Sequence, residues 1–320
     1  MTGTRLCVLL LAIPVALLGQ SAWESSLYGN SADVQPPVQP GYVLMGGGRD
    51  VEEAFRWLIE RAGRGDVVVL RASGTAAYNS YIVNLGADSS ETIILRDREA
   101  SSNAQVLDKV RRAEAIWIAG GDQWNYIRLW KDTPLHQALQ RHVDAGRPIG
   151  GTSAGLAVLG EFYFSARHDG VRSQEAGLNP YHPKVTVETG FLRIDNLRRL
   201  VTDSHFSQRS RMLRTLAFLA RLQKDTGSAE VRAIGVDEQT AVLVEPEGAA
   251  RVVGKNPAYF LQTTRMADQC EQGKPLQLSG VRLWRVEPGG TFQLTAAEFR
   301  SEARPSEVST NGISIEISGK

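Results

Sequence analysis

Apolar and polar positions along the chain fall into two textures. Residues 42–48, YVLMGGG, are a short apolar run stopped by glycines, and residues 51–63, VEEAFRWLIERAG, carry apolar positions at helical spacing before another glycine. The β-branched run DVVVLRASG (66–74) follows, then helical NAQVLDKVRRA (103–113), AIWIAGG (115–121), helical PLHQALQRHVDAG (134–146) and RPIGGTSAG (147–155). Near-continuous apolar strands alternating with amphipathic helices predict an α/β fold, a doubly wound and mostly parallel sheet flanked by helices. In such sheets ligands gather at the carboxyl ends of the strands, where the glycines at 46–48, 120–121 and 150–155 all fall.

Beyond residue 230 the texture changes. AIGVDEQTAVLVE (233–245), ARVVGKNPAYFLQ (250–262) and VRLWRVEPGGTFQL (281–294) read as strands joined by turns. Residues 41–245 are therefore expected to form the catalytic domain, and 246–320 a β-rich extension of it that ends in a loosely held polar tail of about twenty residues. Residues 23–40, WESSLYGNSADVQPPVQP, read as a linker. Residues 1–22 combine Arg5, an apolar stretch from Leu6 to Leu18, and small residues at Gly19, Ser21 and Ala22. That is the pattern of a cleaved secretory signal and predicts a secreted or periplasmic protein with no membrane attachment after cleavage.

Composition adds mostly exclusions. With 36 basic and 35 acidic residues the formal net charge is +1, so neither nucleic acid nor an anionic membrane is an expected partner. Cys7 lies inside the signal, which leaves Cys270 alone and predicts no intrachain disulfide. No HExxH or paired-cysteine spacing indicates a metal site, and no cofactor is expected.

Gly151-Thr152-Ser153-Ala154-Gly155 matches G-x-S-x-G, in which a serine rides a strained strand-to-helix bend and the amide after it, here of Ala154, faces a developing oxyanion. By itself the motif leaves two readings, a nucleophile or an ordinary glycine-rich turn. A nucleophile needs a base. His136 and His142 lie in a polar helix and read as solvated, while His168 and His182 lie in a loop and a turn. His205 follows the apolar strand LRRLVTD and precedes FSQRSRMLRTLAFLARL, which reads as the start of a helix. Arg209, Arg211 and Arg214 then crowd the first turns of that helix, where its dipole disfavours cations, and point to a carboxylate-bearing substrate. Asp237 and Glu238 open a strand and read as a surface turn, with a supporting role behind the site as the alternative. Trp117, Trp124 and Trp130 read as core or pocket wall.

Four ordered stretches, AGGDQ (119–123), GGTSAGLAV (150–158), SQEAGLNPY (173–181) and DSHFSQRSRMLR (203–214), together resemble the cyanophycinase and aspartyl-dipeptidase group of serine peptidases. The likeness runs from about Tyr42 to about Gln262. It implies a fold akin to class I glutamine amidotransferases, Ser153 as nucleophile and His205 as general base, with Glu175 as the acid and Asp169 as runner-up. It also implies Gly121 as a second oxyanion donor beside Ala154, and substrate contacts from Gln123, Asp203, Ser204, Arg209, Arg211 and Arg214. Ser204 and Leu156 depart from the group's pattern, which has glutamine and alanine there. The implied substrate is cyanophycin or another aspartyl-containing peptide, and a homodimer is compatible with the resemblance. A serine esterase and an amidotransferase-like binding protein are the alternatives. The 52 residues from serine to histidine, with no later histidine, argue against an esterase of the α/β-hydrolase kind.

Overall fold

The computed structural model describes residues 21–295 and 298–319. The segment expected to be a secretory signal, residues 1–22, lies outside the described residues apart from Ser21 and Ala22. Two mixed sheets organise the fold. The centre of the first is five parallel strands in the spatial order Ser89–Leu95, Asp66–Arg71, Ala115–Ile118, Ile149–Thr152 and Tyr42–Met45. Their runs are apolar throughout because both faces are covered. In the strand Asp66–Arg71, Val67 and Val69 pack with Phe55 and Trp117 on one side, while Val68 and Leu70 pack with Ile116 and Ile118 on the other. The helices between the strands start on clear signals. Thr133 accepts from the His136 amide ahead of Pro134, and Asn103 accepts from the amides of Gln105 and Val106.

The chain returns to this sheet late. Thr240–Val244 pairs antiparallel with Tyr42–Met45, and Ala249–Gly254, Thr291–Leu294 and Phe299–Arg300 continue outward from it. The second sheet has eight strands, and only Phe162–Phe164, Leu200–Asp203 and Arg232–Val236 run parallel. "Mostly parallel" thus describes the centre of the first sheet and not the β-rich C-terminal region, which adds antiparallel strands to both. One large core between the sheets joins residues of each, among them Ile118, Leu156, Leu200, Ile234 and Phe260.

Several sequence expectations are corrected here. Residues 23–29 are not linker: Trp23–Gly29 is an edge strand paired antiparallel with Ser89–Leu95. The polar tail is a hairpin of Ser306–Asn311 and Ser314–Ser318, whose polar residues suit a sheet edge. The helix after His205 begins only at Met212, so Arg209 and Arg211 precede it and their conflict with its dipole disappears. His142 is buried, not solvated. Its Nε2 lies 3.0 Å from the Pro148 carbonyl, and burial pushes its pKa down to about 4. His136 is half-buried and contacts the Phe191 carbonyl.

Candidate active site

Ser153 stands between Ile149–Thr152 and the single helical turn Ala154–Ala157, with φ 55° and ψ −112°. A non-glycine residue in that region costs about 1–3 kcal/mol, which the surroundings must outweigh. The flanking glycines allow the bend. A Cβ on Gly151 would come within 2.5 Å of the Gly155 carbonyl carbon, and one on Gly155 would be driven into the Ile118 carbonyl. The Ser153 amide donates to the Met45 carbonyl at 3.0 Å, which fixes the bend to the neighbouring strand. The helix is one turn long, so what it offers at its start is individual unpaired amides, Ala154 first, and not a long helix dipole.

The serine hydroxyl meets a histidine from the other sheet. Ser153 Oγ lies 2.7 Å from His205 Nε2, and His205 Nδ1 lies 2.6 Å from Glu238 Oε1. The carboxylate can only accept, so Nδ1 carries the proton and Nε2 is left as acceptor for the hydroxyl. Burial lowers the His205 pKa below the ordinary 6.5; Arg209 and Arg211 push the same way, and the Glu238 hydrogen bond opposes them. The imidazole is therefore neutral at neutral pH, the form a general base requires.

Three segments hold this line in place. His205, at φ 44°, lies two residues beyond the strand Leu200–Asp203 and donates its amide to the Gly46 carbonyl at 2.8 Å. Glu238 sits on the crossing from Arg232–Val236 in the second sheet to Thr240–Val244 in the first. Its amide donates to Gln208 Oε1 at 2.9 Å, and its carbonyl accepts from Asn256 Nδ2 at 2.8 Å. Asp237 is buried and takes both the amide and the hydroxyl of Ser207 at 2.7 Å, fastening the loop that follows His205. Gly47 and Gly48 form the near wall: a Cβ on Gly47 would stand 2.5 Å from the His205 ring, and one on Gly48 would stand 2.9 Å from Glu238 Cβ. Both glycines have positive φ, which favours glycine there independently.

Residues 75–252, more than half the chain, match peptidase family S51. The chain belongs to that family. A cyanophycinase of Trichormus variabilis is 26% identical over 286 residues, covering 84% of this chain and 91% of the relative. A cyanophycinase of Geminocystis herdmanii is 29% identical over 221 residues, covering 67% and 75%. The crystal structure of a peptidase from an acI-B1 actinobacterium shares the fold, with a TM-score of 0.53 at 19% identity over 81% of this chain and 98% of its own. Family and relatives together make this S51 member a serine-type peptidase, a hydrolase of the cyanophycinase-like kind.

Not every residue assigned to the site by sequence is found at it. Glu175 is corrected: its carboxylate accepts the Arg172 amide at 2.8 Å, capping its own helix Ser173–Leu178, and the carboxylate on the imidazole is that of Glu238. The runner-up Asp169 faces solvent and pairs with Lys184 at 3.0 Å. Asp203 is buried rather than presented to substrate. Arg214 grips it with two hydrogen bonds, of 2.8 and 2.5 Å, and Arg211 adds a third at 3.1 Å. Burial alone would raise the Asp203 pKa, but Arg214 and Arg211 win and hold it below the usual carboxylate value. Ser204 is buried too, its carbonyl accepting from Arg211 at 2.7 Å. Asp203, Ser204 and Arg214 thus build the floor under His205. Arg209 is exposed, and Gln123, half-buried, donates to the Phe164 carbonyl at 3.3 Å. Gly121 lies on the exposed loop after Ala115–Ile118, beside Gly120, whose Cβ position is 3.5 Å from that of Ser153.

The acid limb of kcat/KM, which reports the free enzyme, falls as pH drops through the His205 pKa and has its midpoint below 6.5; a midpoint at or above 6.5 contradicts the placement. Asp203→Asn leaves Arg214 buried beside a neutral partner and costs stability on the order of 3–5 kcal/mol, read as a lower denaturant midpoint; an unchanged midpoint contradicts it.

Proposed function

We propose that this peptidase hydrolyses peptide bonds at aspartyl residues, cyanophycin among its substrates, by a relay of Ser153, His205 and Glu238 acting outside the cytoplasm. The observation that carries the relay is the continuous line from Ser153 Oγ through the imidazole to Glu238 Oε1, with links of 2.7 and 2.6 Å. His205 Nε2 takes the hydroxyl proton as Ser153 Oγ bonds to the scissile carbonyl carbon. Negative charge moves to the carbonyl oxygen, facing the amides of Ala154 and Gly121. The C–N bond then breaks as the imidazolium returns its proton to the leaving amine. Water, deprotonated by the same nitrogen, releases the acyl group and restores the hydroxyl. Glu238 stabilises the imidazolium in both halves.

The aspartyl preference is supported by the cyanophycinase relatives and by the charge around the site. A cavity of about 460 Å³ has Arg172, Arg209, Arg211 and Arg214 in its lining, and the Arg209 amide donates to the His205 carbonyl at 3.0 Å. Arg211 and Arg214 turn to Asp203, and the exposed guanidinium groups of Arg172 and Arg209 support a reading in which a substrate carboxylate is bound there. The leader-like residues 1–22 support export.

The test is hydrolysis of cyanophycin and a panel of α- and β-aspartyl peptides by protein lacking residues 1–22. Wild type releases small aspartyl products, Ser153→Ala loses on the order of 10³-fold or more, and Glu238→Gln loses on the order of 10²–10⁴-fold. Glu175→Gln stays within about twofold of wild type. A wild-type protein that cleaves no aspartyl peptide overturns the substrate; activity surviving Ser153→Ala overturns the relay.

A further inference from the structure

Tyr126 lies in the helix Gln123–Trp130, is buried, and stacks on Trp130 with ring centroids 4.4 Å apart. Its hydroxyl reaches out of this apolar setting toward the loop that follows the strand Ala115–Ile118. It lies 2.8 Å from the Ala119 carbonyl and 3.0 Å from the Gly120 carbonyl. A hydroxyl has one proton, so it donates to these two oxygens in shared fashion. Burial keeps the phenol protonated well above the ordinary value, so this donor persists across the working pH range.

The consequence lies on the opposite side of the loop. In a trans peptide the N–H points away from the C=O. With both carbonyls drawn to Tyr126, the amides of Gly120 and Gly121 are turned the other way. A Cβ on Gly120 would stand 3.5 Å from the Cβ of Ser153, so the loop whose carbonyls Tyr126 holds runs directly beside the serine. Among the described residues neither amide has a backbone acceptor. Glycine at 121 is also what lets the hydroxyl approach, since a Cβ there would stand 2.7 Å from it.

We propose that Tyr126 is a positioning residue that orients the Gly120–Gly121 peptide, so that its N–H meets the oxyanion formed on substrate attached to Ser153. This rests on the reading of Ser153 as nucleophile. Tyr126 touches no reacting atom; it acts through the peptide plane, and its effect is confined to the step in which charge develops on the carbonyl oxygen.

The test compares wild type with Tyr126→Phe, which keeps the ring and its stack. A misaligned oxyanion donor lowers kcat by about tenfold or more while KM stays within about twofold. The acid limb of the pH profile does not move, because His205 is untouched. Inactivation by a fluorophosphonate, whose adduct places an oxygen in the same hole, slows in parallel. A kcat and an inactivation rate within about twofold of wild type overturn the proposal. Failure of the wild-type Ser153 to react with the probe at all overturns the underlying reading instead, and the proposal with it. Gly121→Ala supplies a second test. Alone it collides with the hydroxyl and lowers kcat, whereas in the Tyr126→Phe background its nearest remaining neighbour on the ring is 3.5 Å away. The two losses are therefore strongly non-additive; additive losses overturn the proposal.

Discussion

The hydrogen bond from the His205 amide to the Gly46 carbonyl, 2.8 Å long, ties the second sheet to the first where the chain of each turns into the site. The same short segment accepts the Ser153 amide through Met45 and the Gln239 amide through Gly47, at 3.0 and 2.8 Å. Serine, histidine and glutamate come from three different crossings, yet each has a neighbour or its own backbone bonded to residues 45–47. These bonds also pair backbone groups that would otherwise be left without partners where the strands end. A strut this close to an imidazole must lack side chains, which explains glycine at 47 and 48 more directly than turn chemistry alone.

Electrostatics complements this frame. Below His205 a buried carboxylate, Asp203, is neutralised by Arg214 and Arg211. An ion pair of this kind contributes little net stability but is costly to break, so it acts as a rigid floor. Above it the imidazole is kept neutral mainly by burial, and a single carboxylate on its far side favours the cation once a proton arrives. Ser153 and His205, both non-glycine residues with positive φ, sit within this frame. Their conformational cost, about 1–3 kcal/mol each, is offset by the surrounding hydrogen bonds and core.

How much of this was legible in the chain depends on whether the signal was local. The strand-and-helix alternation from residue 42 to 155 was readable because both faces of the central strands are buried and leave unbroken β-branched runs. Ser153 was readable from its glycines, and His205 from its place after an apolar strand. Glu238 was not, for it follows His205 by 33 residues and reaches it only through the crossing between the two sheets. In one dimension Asp237-Glu238 looks like a polar turn; the usable sign was that it follows the apolar run ending at Val236, again a strand's carboxyl end. The family-like stretch around Glu175 favours that acid, but Glu175 caps a helix. Among the arginines, sequence could not distinguish those that grip Asp203 from Arg209, since the difference lies entirely in depth. The tail reads as loose because an edge hairpin with one solvated side is rich in polar residues.

One proton bridges His205 Nδ1 and Glu238 Oε1, and proton NMR of the imidazole at low temperature tests this bridge most directly. A bridge 2.6 Å long predicts a strongly deshielded resonance, well downfield of the amide envelope. It should vanish in Glu238→Gln and persist in Glu175→Gln. A resonance that survives the first substitution, or is lost on the second, would contradict the account.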